Sequence, residues 1–232
     1  MATKKPLVQL TAWSYSRFTD YDTCPLKCKL KHIDHLKEPS NAAMDRGNIV
    51  HKLAEQFVTG QLRAYPVKEL GKAFKESIAN LRKIKAICEQ EWAFTKQYVM
   101  TSWFAKDAWL RIKMDAHYLE LQKVRKLTET KIVTVDYKTG REHQEHALQR
   151  SLYAVGALQV YPDAQSVHVE HWYLDSGAIG ADDFKRSQLP MLLKQWEQRT
   201  RAMLNDHRFA PRAGQHCRWC HWRKSNGGPC VY

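Results

Sequence analysis

A strand-like run ends in an acidic and a basic residue that can share one chemical site. Asp136-Tyr137-Lys138 closes the apolar run 132–135. Because successive side chains of a strand point to opposite faces, Asp136 and Lys138 project together and Tyr137 points the other way. The pattern predicts that Tyr137 packs in the core while the acid and the lysine stand at the strand end.

A second carboxylate, Asp115, lies on the strand-like run 109–120 that precedes this strand. If the two runs form a hairpin in which Val124 pairs with Leu127, the same register brings Asp115 opposite Asp136. The connection has no Gly or Pro that would fix its turn, so this register is a hypothesis.

Two carboxylates beside a lysine suit Mg²⁺ or Mn²⁺, which bind oxygen ligands and also hold phosphate oxygens. A bound metal lowers the pKa of its water and neutralises charge on an attacked phosphodiester. Lys138 can orient or deprotonate such a water. The alternative is a pair of surface carboxylates neutralised by lysines, and the spacing and strand context of Asp115 weaken that alternative.

The order of these residues resembles the PD-(D/E)XK nuclease superfamily, specifically its RecB-like and Cas4-like branch. The resemblance runs from about residue 13 to the C terminus. Beside the acidic strand pair, it is carried by Trp13-Ser14-Tyr15-Ser16, Cys24-Pro25, Gly47-x3-His51, Glu91 and Gln149-x3-Tyr153.

The resemblance implies a role for each of these side chains. The catalytic set would be Asp115, Asp136, Lys138, Glu91, Gln149 and Tyr153. The Mg²⁺ or Mn²⁺ ion would be held by His51, Asp115, Asp136 and the backbone carbonyl of Tyr137. In this scheme Glu91 assists and Lys138 positions the attacking water. The Gln-x3-Tyr motif holds either the DNA strand or the lysine.

Three of the six cysteines lie in an aperiodic tail, as Cys217-x2-Cys220 and Cys230, and Cys24 lies far upstream. Their arrangement resembles the iron–sulfur nucleases of the same branch, which implies a [4Fe–4S] cluster on these four thiolates. Such a cluster would tie the tail to the N-terminal helices. Cys28 is a substitute ligand that the spacing leaves open.

Other interpretations of the tail compete with the cluster. Zn²⁺ could use the three late cysteines with Cys24, His216 or His221. Cys217-x2-Cys220-His221 also matches a c-type haem attachment motif, which requires export, and no secretory signal precedes it. We expect a reducing cytoplasm, or a host cytoplasm for a phage protein, which argues against disulfides.

The net charge is +13, from 37 Lys and Arg against 24 Asp and Glu, and it favours a polyanionic partner. Basic residues concentrate in 68–85, in 122–126 and in the tail. Four tryptophans are candidates for stacking on bases: Trp103, Trp109, Trp219 and Trp222. Trp109 is expected in the core, and the last two could instead shield the metal.

Hydrophobic residues are 44% and charged residues 26% of the chain, the balance of a folded soluble protein. Helices are predicted over 14–22, 25 onward, 42–57, 68–87, 143–160 and 182–204. Strands are predicted over 91–95, 109–120, 131–138 and 167–174. This order indicates an α/β fold with a restriction-endonuclease-like mixed sheet flanked by helices.

Three portions of one integrated domain are predicted. They are an N-terminal helical portion (1–88, with an irregular lead-in over 1–13), a nuclease core (89–206) and a cysteine-rich tail (207–232) that packs back on the first.

The sequence thus predicts a metal-dependent deoxyribonuclease, and the absence of a sequence-reading module favours an exonuclease acting on DNA ends or single strands. The sequence shows no membrane span and no phosphate-binding loop. Without a motor of its own, the chain is expected to act alone or beside a separate helicase or recombination protein. The alternative function is a non-catalytic DNA-binding protein with a structural zinc site.

Overall fold

The computed structural model describes residues 8–124 and 127–232. The predicted lead-in is therefore described only from Val8, and the predicted basic residues Arg125 and Lys126 lie outside the described residues. The chain is divided into two compact units. We call Asn41–Lys194 the sheet unit, and Met1–Ser40 with Gln195–Tyr232 the tail unit. None of the described helices has the length and apolar character needed to cross a bilayer.

The sheet unit is built on six strands in the order β2-β1-β3-β4-β5-β6, and only β4 and β5 are parallel neighbours. The strands are β1 (Ile87–Phe94), β2 (Met100–Thr101), β3 (Leu110–Val124), β4 (Leu127–Lys138), β5 (Ser166–Tyr173) and β6 (Ala178–Lys185). The helices of this unit are α3 (Ala42–Val58), α4 (Val67–Leu70), α5 (Lys75–Lys83) and α6 (Glu145–Val160). The predicted mixed α/β sheet flanked by helices is confirmed.

The β3–β4 hairpin has the predicted register. Its pairs run from Val124 with Leu127 to Ala116 with Val135. Asp115 and Asp136 are the next residues in this register, at the end of the ladder. There the Asp115 carboxylate accepts a hydrogen bond of 2.9 Å from the backbone N–H of Tyr137.

Helices α3 to α5 bury their apolar residues with the sheet, which explains why they belong to the sheet unit. Their core contains Val50, Phe57, Ile78, Val135 and Tyr137, so Tyr137 lies in the core as predicted. The compact units therefore divide the chain at residues 40 and 194, whereas the predicted portions divide it at 88 and 206.

Two predicted helices are wrong in part. The helix predicted over 68–87 is two short helices, because Gly71 adopts a φ of 69°, which ends α4, and Ile87 already begins β1. The first part of the helix predicted over 182–204 is instead β6, which pairs with β5 across a turn at Gly177 with a φ of 73°. The helix α7 (Leu189–Leu204) starts only beside Pro190, a residue tolerated in a first turn.

The tail unit contains α1 (Tyr15–Thr23), α2 (Pro25–His32), the end of α7 and the C-terminal segment. Ser14 caps α1 and Pro25 opens α2, where helices were predicted over 14–22 and from 25 onward. The unit is organised around Trp196, which is fully buried and has its ring centroid 5.7 Å from that of Trp13 and 5.4 Å from that of Phe18.

The contact between α6 and the sheet depends on Gly156. A Cβ at this position would lie 2.6 Å from Cδ1 of Ile112 and 3.2 Å from the Trp92 ring. We expect Gly156→Ala to lower the free energy of unfolding by about 1–2 kcal/mol, since overpacking costs about 1–3 kcal/mol and the helix propensity of alanine offsets about 1 kcal/mol. Urea denaturation measures the change.

The matched test is Ile112→Val, which removes the clashing methyl group. Alone it should destabilise by about 0.5–1.5 kcal/mol, the usual cost of a lost buried methyl. In the Gly156→Ala protein the same change should raise stability. Purely additive effects of the two substitutions would contradict this account of the helix contact.

Candidate active site

One cavity of about 540 Å³ in the sheet unit collects most of the residues that the sequence singled out. Helices α3 and α6 and strands β1, β3 and β4 contribute to its lining. We call it the carboxylate cavity. It is lined by Gly47, Asn48, His51, Lys52, Glu55, Glu89, Lys113, Asp115, Asp136, Lys138, Gln149 and Tyr153.

Four of these side chains form a closed hydrogen-bond network, here called the Lys138 network. Lys138 Nζ donates to Oε1 of Gln149 at 2.9 Å, and Nε2 of Gln149 donates to the Tyr153 hydroxyl at 2.8 Å. The Tyr153 hydroxyl donates to Oδ1 of Asp136 at 2.7 Å. Lys138 Nζ closes the circuit, since it lies 2.6 Å from Oδ2 of Asp136.

The local structure explains why these four residues meet. Asp136 and Lys138 are two apart on β4 and therefore share a face. Gln149 and Tyr153 are four apart on α6 and therefore lie one turn apart on one side of the helix. Because each side chain is held by two others, the lysine and the acid are fixed before any substrate binds.

A second group joins the same cavity from α3, β1 and β3. His51, Glu89 and Asp115 each offer a ligand atom, and these atoms all lie within 4.8 Å of one another. His51 Nδ1 lies 3.1 Å from Oδ2 of Asp115. Lys113 Nζ lies 2.5 Å from Oε2 of Glu89 and partly neutralises it.

The pKa values of the two aspartates are shifted in opposite directions. Burial raises the pKa of Asp115, and the nearby charge of Asp136 raises it further. Burial also acts to raise the pKa of Asp136, but the charges of Lys138, His171 and His51 outweigh it and hold this pKa below its usual range. Burial lowers the pKa of His51, yet its bond to Asp115 prevails and raises the value to about 9.

The donor set of this site fits a divalent cation. An imidazole nitrogen and two carboxylates converge, and a third carboxylate, Asp136, lines the same cavity. Carboxylate oxygens are the ligands that Mg²⁺ and Mn²⁺ prefer, and imidazole extends the set toward Mn²⁺. A cation there would also relieve the repulsion between the two buried aspartates, which Lys138 and His51 compensate only in part.

The structure brings six of the predicted site residues to the carboxylate cavity: His51, Asp115, Asp136, Lys138, Gln149 and Tyr153. Tyr137 contacts Asp115 through its N–H, whereas the prediction used its carbonyl. Glu91 is exposed on β1 and is absent from the lining that the described residues provide.

Glu89 was missed by the sequence analysis and lies in the cavity in the place expected for Glu91. It falls between the pairs of Cys88 with Ala116 and Gln90 with Met114, and so lies opposite Asp115. Glu89 and Glu91 are two residues apart on β1, so side-chain alternation does not distinguish them. Only the β1–β3 register identifies which of the two lies opposite Asp115. Glu89 also has a φ of 52°, a local distortion that no sequence signal announced.

The tail unit holds a separate cavity of about 240 Å³, here called the cysteine cavity. The four predicted thiols all line it, together with His216: Cys24, Cys217, Cys220 and Cys230. Burial raises the pKa of Cys220, and the other three thiols raise it further. Cys28 is fully buried instead, with its thiol 3.6 Å from the carbonyl of Arg17.

The fold and the carboxylate cavity agree with a comparison to known families. The model of the PD-(D/E)XK nuclease superfamily matches residues 12–225, and the chain belongs to this superfamily. No curated protein matches the chain.

Two solved structures resemble the chain at low sequence identity. A protein from Eubacterium rectale named "Putative exonuclease" has a TM-score of 0.51 at 12% identity, over 96% of this chain and 89% of its own. SSO0001 has a TM-score of 0.32 at 18% identity, over 84% of this chain and 91% of its own. The first similarity supports the fold, and the second is too weak to carry an argument.

The position of Glu89 gives a test that pairs two neighbouring acids. Glu89→Gln should weaken Mn²⁺ binding at least about tenfold, the scale of a disturbed metal site, while Glu91→Gln should leave it unchanged. The readout is the Mn²⁺-induced rise in melting temperature. At saturating metal a tenfold loss of affinity removes about 1.4 kcal/mol of ligand stabilisation. Equal behaviour of the two variants would count against the His51–Glu89–Asp115 group as the metal site.

Proposed function

We propose that the chain is a metal-dependent nuclease that hydrolyses phosphodiester bonds in DNA. The observation that carries the proposal is the presence of the Lys138 network and the His51–Glu89–Asp115 group in one cavity. Membership of a nuclease superfamily supplies the reaction class. The net charge of +13 supports a polyanionic substrate.

In this proposal Glu89 and Asp115 hold Mg²⁺ or Mn²⁺, and Asp136 is a further ligand. His51 joins them once it has lost the proton that it shares with Asp115, since a ligating imidazole is neutral. When bound, the ion lowers the pKa of a coordinated water and neutralises charge on the attacked phosphate. Asp115 is suited to this role because the N–H of Tyr137 and the ring of His51 fix its carboxylate. The raised pKa of Asp115 is consistent with a buried carboxylate that lacks full compensation by the protein alone.

Lys138 is proposed to position the attacking water and the phosphate. A lysine ammonium has three N–H donors. One is committed to Gln149 and one to Asp136, which leaves the third for a water or a phosphate oxygen. A lysine with two acceptor neighbours is suited to orient a nucleophile and to stabilise developing negative charge.

The proposed reaction forms a bond between a water oxygen and phosphorus and breaks the bond from phosphorus to the 3′ oxygen. The products would be a 5′-phosphate and a 3′-hydroxyl, as the family implies. An exonuclease is favoured because the sequence has no sequence-reading module, and a protein named an exonuclease shares the fold. We also propose the RecB-like and Cas4-like branch, and a separate helicase or recombination protein as partner, on the order of the motifs.

A [4Fe–4S] cluster is proposed for the cysteine cavity. Its four thiols line one space, and four thiolates are the ligand set of a cubane cluster. A reducing cytoplasm would keep these thiols available as ligands.

The role of Lys138 is tested with end-labelled DNA. Lys138→Ala should lower Mg²⁺- or Mn²⁺-dependent release of label by at least about a hundredfold, the scale of removing one preorganised donor, while DNA binding at fixed salt changes little. Lys52→Ala is the matched control, because Lys52 lines the same cavity outside the network. It should keep cleavage within a few-fold.

Two outcomes would contradict the nuclease proposal. One is full cleavage by Lys138→Ala. The other is wild-type protein that binds DNA but never cuts it with any divalent metal, which is the behaviour of a non-catalytic DNA-binding protein with a structural zinc site. Loss of cleavage with EDTA is the expected control.

The cluster proposal is tested on anaerobically purified protein. We expect a brown protein containing iron and acid-labile sulfide, and loss of both in Cys24→Ser. Cys28→Ser should retain them, because Cys28 is buried away from the cysteine cavity. A colourless protein with stoichiometric zinc that still cuts DNA would replace the cluster with zinc and keep the nuclease.

A further inference from the structure

The tail unit exposes the side chain of Trp219 and buries that of Trp222. Trp219 is 78% exposed, whereas Trp222, three residues later, is 3% exposed. The other candidates for base stacking are less accessible. Trp103 has the guanidinium of Arg111 5.6 Å from its ring centroid, and Trp109 packs edge-on against Tyr98.

The exposed indole of Trp219 stands on a hydrogen-bonded turn. It ends a 3-10 helix, Gln215–Trp219, in which Cys217 N donates to Gly214 O at 3.0 Å. Cys220 N then donates to Cys217 O at 3.2 Å. Because the backbone on both sides is fixed, Trp219 can contact a ligand without a large ordering cost.

The surrounding segment carries positive charge that no acid compensates. Residues 207–232 contain no Asp or Glu, and their basic side chains are Arg208, Arg212, Arg218, Arg223 and Lys224. In the described part of the chain none of these five forms an ion pair with a carboxylate. The lysines of α2 differ, since Lys27 and Lys31 both pair with the buried Asp20.

At least one of these cations is held in place within the segment that carries Trp219. Arg223 Nε donates to Oδ1 of Asn226 at 3.1 Å, and one of its terminal nitrogens donates to the carbonyl of Arg218 at 3.0 Å. Arg218 itself is exposed and adjoins Trp219 in the same 3-10 helix. A planar apolar surface and phosphate-binding groups therefore share one short segment.

We infer that Trp219 and the arginines around it form a stacking surface for an unpaired nucleotide of single-stranded DNA. This inference rests on the proposed nuclease function and adds a second contact with the substrate, in the tail unit. Base stacking on an aromatic side chain tolerates any sequence, and the arginines match the phosphates. An interface with a protein is the competing occupant, since Trp and Arg are enriched in such interfaces too, and it would leave DNA binding unaffected by Trp219.

The experiment compares the full-length wild type and Trp219→Ala by fluorescence anisotropy with two labelled probes at one salt concentration. One probe is oligothymidylate, and the other is an abasic oligonucleotide of the same length. Trp219→Ala should weaken oligothymidylate binding about tenfold, within the range of about 1–3 kcal/mol per stacked base. It should leave binding of the abasic probe within about twofold, since that probe offers phosphates without bases.

Two variants separate stacking from other effects. Trp219→Phe should restore most of the oligothymidylate affinity, because a phenyl ring still stacks. Phe104→Ala removes an aromatic side chain that is 87% exposed in the sheet unit, and it should not change binding. The iron, sulfide and zinc contents of Trp219→Ala are measured beside those of the wild type. If they differ, the contrast between the two probes carries the test, because a disturbed tail would weaken binding of both probes.

Equal affinity of wild type and Trp219→Ala for oligothymidylate would overturn the stacking surface, and the proposed nuclease would stand if metal-dependent cleavage persists. Equal weakening with both probes would also overturn it, since the effect would then be electrostatic. Failure of the wild type to bind or cut either DNA would overturn the proposed function itself and leave Trp219 as a contact for a protein partner.

Discussion

Two carboxylates buried at the end of one ladder are the constraint on which the sheet unit depends. Asp115 and Asp136 follow the last pairs of the β3–β4 hairpin, and their charges raise the energy of the folded state unless cations oppose them. Lys138 provides one such cation and His51 another. The surrounding elements hold those two cations close to the acids, α3 on one side through His51 and α6 on the other through Gln149 and Tyr153.

Buried ion pairs of this kind add little to the free energy of unfolding. Replacing a buried ion pair by apolar residues is often neutral or stabilising, so the polar network is better understood as preorganisation for chemistry. The direction of its hydrogen bonds supports this view. Donation runs from Lys138 to Gln149, to Tyr153 and to Asp136, and the lysine keeps one N–H directed to neither partner.

Much of this site could be predicted from the sequence because short-range periodicity encodes it. Alternation on β4 gave the Asp136 and Lys138 pair, and the hairpin register followed from one assumed pair. The resemblance to the nuclease family selected Gln149 and Tyr153, which helical spacing then places on one side of α6. What failed depended on tertiary context. Glu89 could be distinguished from Glu91 only by the β1–β3 register, and β6 was hidden within a sequence with helical periodicity until its pairing with β5 identified it.

The two units also differ in how many chain segments form them. The sheet unit is one continuous segment, whereas the tail unit combines Met1–Ser40 with Gln195–Tyr232. During synthesis, residues 1–40 can therefore form the tail unit only after residues 195–232 have left the ribosome. All residues of the sheet unit have been synthesised before then. Contacts such as Trp13 with Trp196, and the meeting of Cys24 with the late cysteines, are closed last. Closure of the cysteine cavity therefore needs both pieces, and a chain that ends before residue 217 would lack three of its four thiols.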